Sequence, residues 1–384
     1  MRRLIVKQEN ILQTTLRTHS NWREIFCKDP YNLKWQEDGD YILFSYNQLS
    51  SDFSIPLVRE ARGIIFEKNT YEIVCRPFTK FANYGESYAA KVDWDRCWVT
   101  EKIDGSLIKV WYHNGWRVST NGTINAAKAN LDDANYSNFM ELFIATLRRY
   151  GFTYTSFLTK LDKEYTYLLE LATPYNKVVI PYDNMYLYYL TRIHTGTGIE
   201  EWGGLHEELL TLPTPTIYSL SGFDNIISAA ENLPWDKEGY VVFDELYNRV
   251  KVKSPAYVLA HYARNNNVIT WKRLIDVVLV NQQEEFLTYC SEYRKQVQWI
   301  EDTMFSANVQ ATHSANHIRV NYKGVGRKEY VEIAKEYPKW IFGFLMRNFD
   351  RETSWEEYTS KWTARDWDRF FCVMEGANYG GYKD

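Results

Sequence analysis

The chain has 384 residues, a net charge of −4 and 24% charged residues. This length is sufficient for two domains with separate cores, and the mildly acidic balance excludes a globally positive surface for nucleic acid. Five scattered cysteines without CxxC spacing argue against a disulfide framework or a zinc site and favour a reducing compartment. Without a signal peptide or an apolar run of transmembrane length, the sequence predicts a cytoplasmic protein with no membrane contact.

The first two thirds of the chain, residues 1–255, alternate predicted strands with a few helices. Helices are predicted at 139–150 and 224–230. Irregularly spaced strands with helices between them predict an α+β domain with mainly antiparallel sheets. The predicted strands, several of them separated by short turns, are 41–46, 63–66, 73–76, 98–100, 107–112, 116–119, 165–171, 178–180, 185–193, 239–243 and 249–253.

From residue 256 to residue 384 the apolar residues recur at helical spacing, which predicts a separate all-α C-terminal domain. Helical runs are expected at 286–304, 329–340, 342–349 and 355–371. Six basic residues of this region could line an RNA surface, because phosphate contacts need local cations. A solvated helix face is the simpler explanation and is favoured over the RNA surface; the six residues are Arg264, Lys272, Arg273, Lys323, Arg327 and Lys328.

The first candidate for chemistry is the segment 101–106, with the sequence EKIDGS. Lys102 ends a predicted strand, and the carboxylate of Asp104 follows two residues later. A lysine in such a position can be a covalent nucleophile once its ammonium group loses a proton. On its own, the tetrapeptide Lys-x-Asp-Gly fits a surface turn with a salt bridge just as well.

A second group lies on the predicted hairpin near residue 240. Glu238 stands at the mouth of one strand, where its carboxylate could bind a divalent cation. Along the partner strand, alternation directs Lys251 and Lys253 to one face, where two ammonium groups could bind phosphate. The alternative is an exposed edge strand with its lysines in solvent.

Three further charged residues stand in or next to apolar strands. Glu170 lies in the apolar run 167–171, where a carboxylate usually needs a metal, a hydroxyl or an arginine as partner. Arg62 precedes a glycine and a strand, and its guanidinium could bind phosphate. Lys80 belongs to the basic and aromatic stretch 76–83, shortly before Lys102.

Taken in order, Arg-Gly, Lys-x-Asp-Gly, the strand glutamate, Glu-Gly and Lys-x-Lys resemble the motifs of covalent nucleotidyltransferases, the polynucleotide ligases and mRNA capping enzymes. The stretches 43–47 (LFSYN), 76–83 (RPFTKFAN) and 170–179 (ELATPYNKVV) resemble the phage-type RNA ligases that repair cleaved tRNA. The resemblance extends over about residues 40–260. Five short motifs in the right order are far more specific than any one of them.

The resemblance implies an enzyme that uses ATP and Mg²⁺, with Mn²⁺ as a possible replacement. A lysyl-AMP forms first, the AMP then passes to an RNA 5′-phosphate, and a 3′-hydroxyl finally displaces it. Lys102 would be the nucleophile, Arg62 and Lys80 would bind the outgoing pyrophosphate, and Glu170 is an alternative ribose ligand. The other implied roles are cofactor binding by Glu101, metal binding by Glu238, Asp104 and Glu170, and α-phosphate contacts by Lys251 and Lys253.

The resemblance also implies the partners and reveals two departures. The expected partners are RNA ends with a 5′-phosphate and a 3′-hydroxyl, such as cleaved tRNA, and an upstream end-healing kinase or phosphatase; a monomer is the default. Asn121 stands where relatives often carry Lys or Arg, and Lys128 could replace that contact. Ala82 stands where relatives often carry an aromatic residue.

Two other functions compete with RNA ligation. DNA ligases and capping guanylyltransferases normally append an oligonucleotide-binding β-barrel after the Lys-x-Lys strand, whereas this chain continues into predicted helices from Tyr257. A non-catalytic RNA-binding protein on a decayed ligase scaffold is the third alternative, since fold alone does not determine function. The joint presence of the nucleophile, the three carboxylates and the paired lysines argues against decay.

Overall fold

The computed structural model describes residues 10–48, 50–202, 209, 211–263 and 269–375. It has two compact units, Met1–His261 and Tyr262–Asp384. The domain boundary predicted after residue 255 stays a prediction, and Arg264 lies outside the described residues. Among the helices that the structure describes, none has both the length and the apolar character needed to cross a membrane.

The strands of the first unit form three antiparallel sheets. The strands are β1 (Lys34–Asp38), β2 (Tyr41–Ser45), β3 (Arg62–Glu67), β4 (Ile73–Cys75), β5 (Cys97–Glu101), β6 (Ser106–Tyr112), β7 (Trp116–Thr120), β8 (Tyr165–Ala172), β9 (Tyr186–His194), β10 (Glu200–Glu201), β11 (Ile217–Tyr218), β12 (Gly239–Asp244) and β13 (Arg249–Lys253). Sheet one has the order β1-β2-β3-β4, sheet two has the order β10-β9-β8-β6-β7, and sheet three has the order β11-β5-β12-β13.

Helices pack against these sheets and make up the described part of the second unit. Asn138 caps α4 by accepting a hydrogen bond from the Glu141 amide, and the buried face of α4 joins the core beneath sheet two. The helices are α1 (Ile11–Thr18), α2 (Trp22–Phe26), α3 (Pro56–Glu60), α4 (Phe139–Arg149), α5 (Tyr154–Leu158), α6 (Phe223–Glu231), α7 (Pro255–Ala263), α8 (Trp271–Leu279), α9 (Gln283–Tyr289), α10 (Arg294–Asn321), α11 (Arg327–Lys335), α12 (Phe342–Asp350), α13 (Trp355–Thr359) and α14 (Ala364–Glu375).

This arrangement confirms the predicted α+β class, with antiparallel sheets followed by an all-α region. The segment 102–105 joins the end of β5 in sheet three to the start of β6 in sheet two. The Lys-x-Asp-Gly motif therefore lies where two sheets meet, and the side chains of both sheets converge around it.

Some predicted elements were wrong. Residues 178–180 are not a strand, because the amides of Val179 and Ile180 donate to the Asp104 carboxylate instead of to a neighbouring strand. The run 355–371 is two helices, since Thr363 and Asp366 exchange hydrogen bonds that start α14. The run 286–304 is broken near Cys290 between α9 and α10, and 329–340 is helical only to Lys335 before a short 3-10 turn.

Candidate active site

A cavity of about 470 Å³ opens where sheets two and three meet. Its charged lining comes from β3, β5, β8, β10 and β13 and from the segment after β5, and its apolar lining includes aromatic rings. The charged residues are Arg62, Glu101, Lys102, Glu170, Glu200, Arg249 and Lys251, and the aromatic ones are Phe78, Phe81, Phe139, Trp202 and Phe243.

Lys102 is held on the wall of this cavity by the pairing of β5 with β12. Because Glu101 pairs with Tyr240, the Lys102 amide lies beside Gly239 and donates to its carbonyl over 2.9 Å. The Lys102 Nζ is 2.8 Å from Glu238 Oε2, and Glu238 is only 5% exposed. The ammonium group is thereby fixed by a short, largely buried ion pair.

Gly239 is required at this junction. Its φ is +136°, and a Cβ there would lie 2.2 Å from the Val252 carbonyl oxygen. Only glycine combines this conformation with so close an approach of β12 to β13. The Glu-Gly pair of the sequence therefore places the Glu238 carboxylate next to Lys102.

The alternation predicted for β13 agrees with the burial of its residues. Val250 and Val252 are buried in a core cluster, and Lys251 and Lys253 are half-buried on the opposite face. Lys251 lines the cavity, and the Lys253 Nζ is 3.6 Å from Glu238 Oε1. Glu238 thus lies between two ammonium groups, Lys102 and Lys253.

Asp104 lies behind Lys102 and is only 4% exposed. Its Oδ2 accepts hydrogen bonds from the amides of Val179 and Ile180 at 2.9 and 2.8 Å, and its Oδ1 accepts one from the Tyr257 hydroxyl at 3.0 Å. Both oxygens are therefore engaged with protein groups. This geometry gives Asp104 a structural function in fixing the segment after β8, and its predicted metal role stays a prediction.

Glu170 presents its carboxylate to the cavity from β8. Burial raises the pKa of Glu170 to about 7, although the nearby positive charges of Lys102 and Arg62 lower it. Within the described ranges no protein group donates a hydrogen bond to this carboxylate. A cation or a ligand hydroxyl would satisfy it.

Arg62 lines the cavity at the start of β3. Its Nη1 is buried and has no hydrogen-bond partner. A buried guanidinium nitrogen without an acceptor is costly in a native protein, so its position indicates a missing anionic partner. This observation is consistent with phosphate binding.

The structure does not place every predicted residue around this cavity. The Lys80 Nζ lies 4.2 Å from the Phe53 ring centre and 4.9 Å from that of Tyr46, in a neighbouring cavity of about 690 Å³. Glu101 does line the cavity of about 470 Å³, but its carboxylate pairs with the Lys237 ammonium at 2.8 Å and accepts a hydrogen bond from the Thr216 hydroxyl at 3.1 Å. Its predicted contact with the cofactor, like the pyrophosphate contact of Lys80, stays a prediction.

Lys128 is not in position to supply the basic contact that the resemblance predicts near position 121. Its side chain is 60% exposed, is absent from the lining of the cavity and pairs with Asp38 at 2.8 Å. Asn121 itself lines the cavity, and its Oδ1 is buried without a hydrogen-bond partner.

Sequence reasoning missed several residues of the site. The Glu200–Arg249 ion pair, 2.7 Å long, and the ring of Trp202 join the wall from segments distant in sequence, and no motif predicted them. Lys109, in contrast, had a visible signal. It is a charged residue in an apolar strand, the same feature that drew attention to Glu170.

In the described part of the chain, no group of three or more His, Cys, Asp or Glu residues is arranged so that it could hold a metal ion. Mg²⁺ needs no such group, because it is usually held by one or two carboxylates together with substrate phosphates and water. Glu170, whose carboxylate is unengaged, and Glu238, which pairs with Lys102, fit this requirement.

A family model described as RNA ligase matches residues 60–257, just over half of the chain. The chain belongs to this RNA ligase family. The match confirms the resemblance to RNA ligases inferred from the order of the motifs. It contains every residue discussed for the cavity and the two lysines of β13.

Individual relatives are more distant. The chain is 24% identical over 319 residues to a baculovirus protein of Autographa californica nuclear polyhedrosis virus, described as a bifunctional polynucleotide kinase/RNA ligase, covering 80% of this chain and 45% of the relative. It is 26% identical to an RNA ligase of Rhodothermus phage RM378, covering 65% and 70%. A solved archaeal ATP-dependent RNA ligase is 13% identical with a TM-score of 0.46, covering 71% and 70%. The chain thus spans under half the length of the baculovirus relative.

Proposed function

We propose that the chain is an ATP-dependent RNA ligase that joins a 5′-phosphate end to a 3′-hydroxyl end through a covalent lysyl-AMP at Lys102. One observation carries this proposal. The Lys102 amine stands on the wall of a cavity, 2.8 Å from Glu238, within the part of the chain that the RNA ligase family model matches.

The first step is nucleotidyl transfer to the protein. The Lys102 Nζ, after releasing a proton to solvent, attacks the α-phosphorus of ATP and loses a second proton to solvent as it becomes the phosphoramidate nitrogen. A nitrogen–phosphorus bond forms, the bond from the α-phosphorus to the bridging oxygen breaks, and pyrophosphate leaves with that electron pair. Such transfers are catalysed mainly by positioning and by neutralising charge. Lys251 and Lys253 lie on the face of β13 from which ammonium groups can donate to the α-phosphate.

The rest of the cavity suits the other parts of ATP. The rings of Phe81, Trp202 and Phe243 offer an apolar surface for the base. Arg62, with its unpartnered nitrogen, is placed to bind the β- and γ-phosphates that become pyrophosphate. Glu170 either contacts the ribose or shares the cation with Glu238.

Mg²⁺, or Mn²⁺ in its place, would neutralise phosphate charge when bound by Glu238 and Glu170. Without it, Glu238 holds the Lys102 ammonium and fixes its position. Asp104 keeps the segment 178–180 folded against the Lys102 loop through its three hydrogen bonds. Its contribution in this proposal is therefore to position Lys102, in addition to the metal role inferred from sequence.

The RNA steps follow from the same chemistry. An oxygen of the RNA 5′-phosphate attacks the lysyl-AMP phosphorus, the nitrogen–phosphorus bond breaks, and Lys102 takes up a proton from solvent and is released as the amine. The 3′-hydroxyl of the second end then attacks the 5′-phosphorus, its proton passes to solvent, and AMP leaves with the electron pair of the broken phosphorus–oxygen bond. The kinase named in the baculovirus relative supports an upstream end-healing enzyme that supplies 5′-phosphates, and cleaved tRNA in a cytoplasm is the substrate and setting we propose.

An end-joining assay tests the proposal. We expect an RNA with a 5′-phosphate and a 3′-hydroxyl to be circularised or joined with ATP and Mg²⁺, and the same RNA with a 5′-hydroxyl to stay linear. Lys102→Ala should join only RNA that is already 5′-adenylated, because the first two steps pass through the lysine and the last step does not. No joined product from either phosphorylated or adenylated RNA would overturn the proposal.

A further inference from the structure

Lys109 is a lysine in the middle of the apolar strand β6. It is 0% exposed, and its ammonium donates a hydrogen bond to the Gly63 carbonyl. Its strand neighbours Ile108 and Val110 are in the core beneath sheet two, so alternation directs Lys109 to the opposite face of the sheet. The lysine therefore extends from sheet two towards the start of β3, where Arg62 and Gly63 lie.

This buried ammonium has no carboxylate partner within the residues that the structure describes. The titratable and charged groups that act on it are the Cys75 thiol of β4 and the Arg62 guanidinium of β3. Burial, and to a smaller extent the charge of Arg62, lowers the pKa of Lys109 to about 8, although Cys75 acts to raise it. Burial raises the pKa of Cys75 to about 11, so this group is a neutral thiol near neutral pH. A buried charge without a counter-charge is expensive, and such charges are concentrated at functional sites.

Lys109 lies next to residues that line the cavity. The point at which a Gly63 Cβ would stand is 2.9 Å from Lys109 Nζ and 3.0 Å from Asn121 Oδ1. Asn121 and Arg62 both line the cavity, and each has a buried polar atom without a hydrogen-bond partner. Two unsatisfied polar groups and one unpaired cation thus meet at the Arg62–Gly63 turn.

We propose that Lys109 is a positioning residue of the ATP site, which holds the Arg62–Gly63 turn and supplies the positive charge behind the wall formed by Arg62 and Asn121. The inference rests on the proposed function. An anion bound at this wall would be the missing counter-charge for both cations. Lys109 then supplies the positive charge that the uncharged Asn121 cannot supply. Lys128 does not supply it, because its side chain is exposed and paired with Asp38.

Coupling between the two charges has a measurable consequence. Binding of the ATP phosphates next to Arg62 favours the protonated form of Lys109, so ATP binding should take up protons near pH 8. A lysine that only fills space and bonds to the Gly63 carbonyl would not link ATP binding to protons.

The test uses ATP with Mg²⁺ as the probe and the full chain carrying Lys102→Ala, which can bind ATP without reacting. Calorimetry at pH 8 in two buffers of different ionisation enthalpy gives the affinity and the proton uptake. In this background we compare Lys109→Met, which is neutral and apolar, with Lys109→Gln, which is neutral but can still donate to Gly63. Lys128→Met is the matched control, a lysine removed from an exposed ion pair.

We expect both Lys109 variants to bind ATP about tenfold more weakly and to lose most of the proton uptake, while Lys128→Met changes neither. Adding Asn121→Lys to Lys109→Met should restore the affinity, because it returns a cation to the same wall. If both Lys109 variants bind ATP with unchanged affinity and uptake, the inference is wrong. If only Lys109→Met is impaired, the hydrogen bond and not the charge matters, and the inference is equally overturned.

The same experiment separates this inference from the proposed function. Absence of any ATP binding to the Lys102→Ala protein, together with no end joining by the unmodified chain, would contradict the proposed function. Normal ATP binding that is insensitive to Lys109 would contradict the inference alone. Should Lys109→Met fail to fold, Lys109→Gln gives the same comparison.

Discussion

The charged residues around the cavity of the first unit differ in burial and in pairing from those on the helices of the second unit. Around the cavity of the first unit, Lys109 is fully buried, Glu170 and Arg62 are half-buried, and all three are incompletely paired. On the helices of the second unit, charges form exposed ion pairs. Arg327 pairs with Asp350 at 2.7 Å and Lys335 with Glu332 at 2.7 Å, with all four side chains more than half exposed.

This contrast separates charges that serve a ligand from charges that keep a surface hydrated. Exposed ion pairs contribute at most about 1 kcal/mol each, because water and salt screen them. Buried charges without partners destabilise the fold by more, and a protein that keeps them gains something other than stability. The chemistry is therefore expected in the first unit, and substitutions in both units test this difference.

The largest effect is expected from Glu238→Gln. The neutral amide cannot form the ion pair that fixes Lys102, nor provide a full negative charge for the cation, so lysyl-AMP formation should fall by about 10² or more. The rate of label transfer from ATP to the protein measures this. Glu329→Gln, an exposed carboxylate of the second unit, is the control and should leave the rate unchanged. A small effect of Glu238→Gln would contradict the assigned role.

Glu170→Gln should lower the ligase activity and raise the free energy of unfolding. The folded-state pKa of Glu170 is raised to about 7 from its usual 4.5, so the folded chain loses stability as pH rises between these values. Above pH 7 the variant should be the more stable protein, by up to about 3 kcal/mol, and the difference should vanish below pH 4.5. Thermal unfolding at pH 8 and pH 4 measures it. A variant less stable than the unmodified chain at pH 8 would show that the carboxylate has partners.

Lys109→Met tests the same argument with the opposite sign. The folded-state pKa of Lys109 is lowered to about 8 from 10.5, so the unfolded state binds the proton more tightly between these values. The unmodified chain should therefore gain stability relative to the variant as pH rises from 8 to 10.5, by up to about 3 kcal/mol. Denaturant unfolding at pH 7.5 and pH 10 gives the difference. A pH-independent difference would mean that Lys109 titrates as it does in the unfolded chain.

The smallest effect is expected in the second unit. Arg327→Ala removes the exposed pair with Asp350 and should change the free energy of unfolding by no more than about 0.5 kcal/mol. A double-mutant cycle with Asp350→Ala measures the coupling. If Arg327→Ala also leaves RNA joining unchanged, the pair belongs to a solvated helix face. A marked loss of joining would instead favour the RNA surface predicted for this region.

The sequence predicted those parts of the fold that depend on local patterns. Alternation in β13 separated its lysines from its valines, and helical spacing identified the C-terminal helices, although caps such as Thr363 divided runs that looked continuous. Motif order likewise brought Lys102 and Glu238 to one predicted site. Long-range consequences were not accessible. Two backbone amides donate hydrogen bonds to Asp104, and the segment predicted as a strand is therefore not a strand. The contact of Lys109 with Gly63 depends on how two sheets meet.

Covalent labelling with ATP tests most directly whether Lys102 accepts AMP. The purified chain and Lys102→Ala are incubated with Mg²⁺ and α-labelled ATP or GTP, and the label on the denatured polypeptide is followed. We expect acid-labile label from ATP on the unmodified chain and none on Lys102→Ala. The label should be lost when 5′-phosphorylated RNA is added. Label from GTP alone would indicate a capping enzyme. No label from either nucleotide, in a folded preparation shown by mass not to carry AMP already, would contradict the account and leave an RNA-binding scaffold.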